Sequence, residues 1–230
     1  MVDSELGVVQ PVQEIAEILK DHPHCHLHVD ATQAVGKIPV SFEGVDTMSL
    51  TAHKFYGLNG IGLLLKRRNL ALEPLIHGGE STTIYRSGTP TVALASSLAL
   101  ALELAVEQLP QRTAAVRDAN AFLRAELAKY PKVRINSPEN AIPHILNLSV
   151  QDVKGTVFQR ELNEEGVCVS VKSACSSDGL PSRAVFAVSR DRRNALSSWR
   201  VSLSHQTTEE DLRGFLAAFD RCYRGLTETK

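Results

Sequence analysis

Apolar residues recur at helical spacing immediately after Pro11, with Val12, Ile15, Ile18 and Leu19 forming one stripe. Pro11 stands where a helix can begin, because a first-turn N–H has no intrahelical partner to lose. A strand candidate, HCHLHV, follows, and DTMSLTA and IGLLLK are two more. A long apolar stretch, TVALASSLALALELAVEQL, predicts a helix from about Thr91, and ANAFLRAELAKY predicts a second helical segment. After Pro131 the texture changes to short strand-like runs, HILNLSV, VCVSV and WRVSLS. The last helix opens at TTEEDL, where Thr208 and Asp211 have capping-box spacing. Leu212, Phe215, Leu216 and Phe219 then continue at helical spacing. The order reads as an α/β portion to about residue 110 and a smaller α+β portion from about residue 130, with no internal repeat.

Composition narrows the function classes. At 43% hydrophobic and 22% charged residues the chain has the makings of a soluble globular core. A formal net charge of -1 offers no electrostatic footing for nucleic acid or an anionic membrane. The long apolar stretch contains Ser96, Ser97, Glu103 and Glu107 and is followed by Pro110, which favours a buried helix over a membrane span. The four cysteines, Cys25, Cys168, Cys175 and Cys222, have neither metal-type pairing nor a dense disulfide pattern, so a reducing, cytoplasmic setting is expected. Cys25, Cys168 and Cys222 fall in strand or helix patterns and read as packing residues.

HPHCHLHVD holds four of the chain's eight histidines, a cysteine and Asp30. Those are ligand types for zinc or copper. On a strand, His24, His26, His28 and Asp30 would instead share one face, and the strand would end by presenting Asp30. The continuation DATQAVGK and the later SLTAHKFYGLNGIG bear on the choice. A protonated nitrogen heterocycle used as an electron sink needs a carboxylate partner. A lysine at a strand end can form a Schiff base with an aldehyde. Hydroxyl, imidazole and carboxamide groups bind phosphate and phenolic oxygens. Asp30, Gln33, Thr51, His53 and Lys54 supply that set. Each also has a plain reading as a cap, a surface polar group or a solvated charge, and GLNGIG alone is more often a turn than a phosphate loop.

HVDATQAVGK, SLTAHKFYG, IHGGESTTIYRSGTP, SVKSACSSDGLPS and WRVSLSHQTTEEDL together resemble, in order and spacing, the successive motifs of cysteine desulfurases of the NifS/IscS type. These are pyridoxal-phosphate enzymes of the class V aminotransferase group, fold type I. The resemblance implies part of a three-layer α/β/α large domain over residues 1–110 and a small α+β domain over residues 111–230. It implies pyridoxal 5'-phosphate linked to Lys54, Asp30 against the pyridine nitrogen, Gln33 near the phenolic oxygen, and Thr51 and His53 at the phosphate. Thr51 stands where the family usually has serine. Thr89 matches a residue reaching the phosphate of a neighbouring subunit, which implies a homodimer. Arg200 matches the arginine that grips the substrate carboxylate. Cys175 matches the loop cysteine that takes sulfur from L-cysteine as a persulfide, for transfer to a sulfur-acceptor protein and iron–sulfur cluster assembly. Lys172, near it in sequence, reads either as a charge that lowers the thiol pKa or as a solvated loop lysine.

Departures accompany the match. In DSELG, Ser4 replaces an asparagine that helps hold the phenolic oxygen. Glu80, Ser81, Thr82 and Thr83 replace the family's Gly-Gln-Glu-Arg run near the dimer face. Family members carry a long preceding segment with a phosphate loop and a histidine that stacks on the pyridine. The expectation is therefore a fragment or one half of a divided protein, weakly active or inactive alone. Three activities remain open from the residues: a cysteine desulfurase yielding L-alanine, a selenocysteine lyase, and a non-catalytic remnant that binds a partner.

Overall fold

The computed structural model describes residues 1–79, 83–172 and 180–228. By its internal contacts the chain forms two units, Met1 with Pro11–Leu109 and Val2–Gln10 with Pro110–Lys230. The expected unit over residues 1–110 therefore needs a correction at its start. Residues 2–10 pack with the second unit because Ile142 N–H donates to the Gly7 carbonyl (2.9 Å) and Leu6 is buried with Val185 and Ala195.

The first unit contains α1 (Val12–Leu19), β1 (His28–Asp30), β2 (Thr47–Thr51), a single 3-10 turn at Ala52–Lys54, β3 (Gly62–Lys66) and α2 (Val92–Glu107). Its sheet has the order β1-β2-β3, with β1 parallel and β3 antiparallel to β2. His28 pairs with Thr47 and Asp30 with Ser49, so the C-terminal ends of β1 and β2 lie side by side. The strand expected over HCHLHV is shorter than its pattern. Leu27 N–H is taken by the Asp46 carboxylate (2.8 Å), and Cys25 N–H closes a turn onto the His22 carbonyl (2.9 Å). Pairing therefore begins only at His28.

Two amphipathic expectations also shift. In α1 the inward residues are Val12 and Ala16, while Ile15 is 38% and Ile18 63% exposed. Gly44, at φ +73°, explains the choice of face: a Cβ there would lie 2.6 Å from the Ala16 Cβ, so only a small side chain meets this backbone. In α2, expected to be buried, Leu98 and Ala105 are buried whereas Leu100 and Val106 are 57% and 63% exposed. Its close approaches are to glycines. A Cβ on Gly36 would meet Ala105, and one on Gly57 would meet Ala101. Among the described residues no single helix is long and apolar enough to cross a membrane.

The second unit contains α3 (Leu109–Leu127), β4 (Val133–Ile135), β5 (Ile145–Val150), α4 (Gly155–Glu164), α5 (Arg183–Ser189), α6 (Arg192–Ser197), β6 (Ser198–Ser202) and α7 (Glu209–Thr227). Its antiparallel sheet has the order β4-β5-β6. Every residue of β5 is buried. Leu146, Leu148 and Val150 enter the main core with Leu123 and Leu127 of α3, Phe158 and Leu162 of α4, and Phe215 and Phe219 of α7. Trp199 of β6 stacks on Phe158, with ring centroids 5.1 Å apart and planes 13° from parallel. Burying each large apolar side chain contributes roughly 1.5–3 kcal/mol, so this aromatic cluster helps fasten β6 beside its pairing with β5. The capping box at Thr208 and Asp211 is present. VCVSV is not a strand: Val167 N–H turns back to the Leu162 carbonyl (2.8 Å), and only Ser170 bridges to Arg200.

Candidate active site

In the first unit the candidate residues gather where β1 and β2 end. Ligands of α/β sheets sit outside the carboxyl ends of parallel strands, where the chain must turn away and leaves backbone and side chains to face outward. Asp30 closes β1 with its side chain exposed, and Thr32 N–H donates to its Oδ1 (2.8 Å). The Met1 ammonium donates to the Asp30 carbonyl (2.8 Å). Burial lowers the pKa of that ammonium, against the opposing pull of the Asp30 charge. After Asp30 the chain makes two tight turns, with Ala34 and Val35 N–H donating to the Ala31 carbonyl (2.9 and 3.0 Å). Gln33 lies half-buried on this turn.

Beside it, β2 ends at Thr51 and runs directly into the Ala52–Lys54 turn. The Thr51 hydroxyl donates to the Ile61 carbonyl (3.1 Å), and its oxygen lies 3.1 Å from His53 Nδ1. A hydroxyl has one proton to give; with it donated to Ile61, the Thr51 oxygen accepts from His53 Nδ1–H, and the His53 side chain is exposed. Lys54 ends the turn with its side chain exposed, while the flanking Ala52 and Phe55 are buried. The amine is thus carried on an anchored backbone. Tyr56, two residues on, has φ 73°, a left-handed conformation that a bulky residue adopts only under constraint.

Lys37 is a further participant that carried no role in the sequence. Its Nζ donates to the Lys54 carbonyl (3.2 Å). Burial, and next the Lys54 charge, bring its pKa down to about 8. Its only sequence signal was the Gly-Lys ending of DATQAVGK.

The histidine-rich segment is a strand only at its end: β1 begins at His28, and His24 and His26 precede it, so the expected shared face of four side chains is reduced to His28 and Asp30. His28 Nδ1 lies 2.8 Å from Thr47 Oγ1 and its Nε2 3.4 Å from Ser49 Oγ, so both ring nitrogens serve the pairing with β2. Among the described residues no group of three or more His, Cys, Asp or Glu side chains is placed to hold a metal ion.

In the second unit Arg200 sits mid-strand in β6, paired across from Asn147. Its Nη1 donates to the Ser4 carbonyl (2.7 Å) and its Nε to Ser202 Oγ (3.1 Å). Burial lowers the Arg200 pKa, and the Glu5 and Asp3 carboxylates act in the opposite direction. Glu5 in turn accepts a hydrogen bond from the Ser182 hydroxyl (2.5 Å). Ser4 and Arg200 are therefore brought together through the Ser4 backbone. Glu5 and Asp3 are polar neighbours that the sequence did not assign.

Thr89 is exposed in the first unit. Cys175, Glu80, Ser81 and Thr82 lie outside the described residues. Of the cysteines expected to pack, Cys222 is buried, but Cys25 and Cys168 are exposed. Cys25 lies in the turn before β1, and Cys168 in the segment that does not pair as a strand.

An exposed carboxylate, an amine on a short turn, a hydroxyl and an imidazole lie at adjacent strand ends of an α/β unit, and this donor set fits pyridoxal phosphate. The model of the aminotransferase class-V family matches residues 1–215, and the chain belongs to that family. It is 38% identical over 226 residues to the cysteine desulfurase IscS of Dictyoglomus turgidum, covering 95% of this chain and 57% of that protein. It is 34% identical to a NifS/IcsS protein homolog of Lactobacillus delbrueckii subsp. bulgaricus, covering 97% of this chain and 60% of that protein. The solved structure of a NifS-like protein from Rickettsia africae superimposes with a TM-score of 0.88 at 27% identity, covering 97% of this chain and 60% of the other. The fold is accordingly part of the NifS-like transferase fold. The chain spans somewhat over half the length of these relatives.

Proposed function

We propose that this chain is the Lys54-bearing part of a pyridoxal-phosphate-dependent cysteine desulfurase that converts L-cysteine to L-alanine and leaves the sulfur as a persulfide on Cys175. The observation that carries the reading is the adjacency of Asp30 and the Thr51–Lys54 segment at the ends of two parallel strands. When bound, pyridoxal phosphate supplies an electron sink for bonds at the substrate α-carbon. Lys54 offers the amine that links it and afterwards moves protons at the substrate carbon. Asp30 holds a proton on the ring nitrogen. His53 and the Thr51 hydroxyl would hold the phosphate, Gln33 would serve the phenolic oxygen, and Ser4 stands at the sequence position of a further phenolic-side residue. Arg200 receives the substrate carboxylate in its fork.

Cys175 then attacks the substrate sulfur as a thiolate. A sulfur–sulfur bond forms and the carbon–sulfur bond breaks; the carbon keeps the electron pair and takes a proton to become alanine, so no outside oxidant is needed. Thr89 completes the phosphate site of a second copy in a homodimer, and a sulfur-acceptor protein removes the persulfide. A reducing, cytoplasmic setting keeps Cys175 available.

Incubation with pyridoxal phosphate, borohydride reduction and peptide mapping tests the reading. The label is expected on Lys54. Cys175→Ser keeps that label and loses sulfide release from L-cysteine, measured with the segment its longer relatives possess supplied in trans. A label on another lysine, or equal sulfide release by Cys175→Ser, overturns the proposal.

A further inference from the structure

We infer that Lys37 is the positioning residue for Lys54: its ammonium ties off the carbonyl that ends the Ala52–Lys54 turn and so fixes the backbone from which the Lys54 side chain extends. This role rests on the reading of Lys54 as the cofactor-linking lysine. The geometry is built from several separate features. The last carbonyls of a helical turn have no partner within it, and a cation there also complements the turn's dipole. Lys37 Nζ meets the Lys54 carbonyl at 3.2 Å, from 17 residues earlier in the chain.

What brings it there is Gly36. At φ +74° it lets the segment after Asp30 double back, and a Cβ at this position would lie 3.1 Å from Phe55 Cβ and 3.2 Å from Ala105 Cβ. The turn that follows β1 is thus pressed against the residue next to Lys54. Lys37 and Ile38 N–H both donate to the Ala34 carbonyl (3.0 Å each), which holds the lysine at the end of that turn. The same short segment therefore presents Asp30 at one end and secures the Lys54 backbone at the other. A consequence is that Asp30 at the end of β1 and Lys54 in the turn after β2 share one support.

Hydrogen exchange of the chain without cofactor tests the inference apart from the activity. Phe55 and Gly57 N–H both donate to the Ala52 carbonyl (3.0 and 2.9 Å) and report on the turn. Lys37→Met is expected to speed their exchange about fivefold, the effect of losing one hydrogen bond, with β2–β3 amides unchanged. Lys37→Arg restores protection. With pyridoxal phosphate added, the fraction of Lys54 fixed by borohydride falls several-fold in Lys37→Met and recovers in Lys37→Arg. Unchanged exchange at Phe55 and Gly57 overturns the inference whatever the labelling shows, as does a uniform rise across β2 and β3. Faster exchange confined to the turn, in a chain whose Lys54 never takes the label, upholds the positioning and sinks the cofactor reading instead.

Discussion

Phe219→Ala should loosen the second unit by an amount that can be worked out in advance. Phe219 is fully buried and stands at the centre of the aromatic cluster. Its ring centroid lies 5.0 Å from Tyr130, 5.2 Å from Phe158, 6.0 Å from Phe215, 6.1 Å from Trp199 and 6.0 Å from Tyr223. Five neighbouring rings drawn from α4, β6, α7 and the segment after α3 cannot all move into the space left behind. The loss should therefore fall at about 3–5 kcal/mol, the range for truncating a buried Phe. With a urea slope of about 2 kcal/mol per molar, the unfolding midpoint drops by about 2 M. Trp199 is the only tryptophan in the chain and is itself buried in this cluster. Its fluorescence therefore follows the second unit without labels. Leu216→Ala, at a half-buried position of the same helix, should move the midpoint less than half as far. A Phe219→Ala shift below about 0.5 M, or one no larger than that of Leu216→Ala, would show that this cluster does not fasten β6.

Asp30→Asn should retain borohydride labelling of Lys54 yet slow L-cysteine turnover about 100-fold, the scale of losing one preorganised electrostatic partner; equal turnover per labelled site contradicts the role of Asp30. Arg200→Lys keeps the charge but loses the fork that now reaches Ser4 and Ser202, so KM for L-cysteine should rise about tenfold with a smaller change in kcat. Asp211 accepts hydrogen bonds from the Thr208 backbone and hydroxyl (2.8 Å each), and these lower its pKa. A carboxyl with a lowered folded pKa stabilises the fold above its unfolded value and ceases to as pH falls through the folded one. The stability gap between the natural chain and Asp211→Asn should therefore be open at neutral pH and close below about pH 4 in acid titrations.

The elements most legible in the sequence are those whose signals are local. The Thr208–Asp211 box and the spacing of Leu212, Phe215 and Phe219 depend only on residues three or four apart, and α7 forms as expected. Asp30 and Lys54 were legible as chemistry in sequence order, but their adjacency depends on the parallel pairing of β1 and β2, which the order alone does not state. HILNLSV conceals its alternation because both faces of β5 are buried. Leu146 and Leu148 enter the apolar core, whereas Asn147 and Ser149 join a polar network. Asn136 Nδ2 lies 2.9 Å from Asn147 Oδ1 and 2.8 Å from Ser149 Oγ, and Asn194 Nδ2 donates to Asn136 Oδ1 (2.9 Å). VCVSV misleads for the opposite reason. Its β-branched residues fit a strand by propensity, yet propensity yields to the packing available, and only Ser170 finds a partner in β6.

The roles that were not legible depend on close approach between residues distant in sequence. Gly44 allows Ala16 to approach more closely than a Cβ would permit, and Gly36 allows Phe55 and Ala105 a tight approach at a positive φ. One decides which face of α1 turns inward, and the other brings Lys37 to the Lys54 carbonyl. Arg200 shows the same dependence in the second unit. Its charge and strand were readable, but the Ser4 carbonyl that holds it and the Asp3 and Glu5 charges near it come from a segment almost two hundred residues earlier in the chain. In the proposed role of receiving a substrate carboxylate, Arg200 must be held firmly enough to keep its fork in register without being neutralised by a direct ion pair. Anchoring through a backbone carbonyl meets both needs, since the carbonyl takes one N–H and adds no opposing charge. The substitution at Ser4 therefore leaves the Arg200 anchor intact, because the atom that Arg200 uses belongs to the main chain.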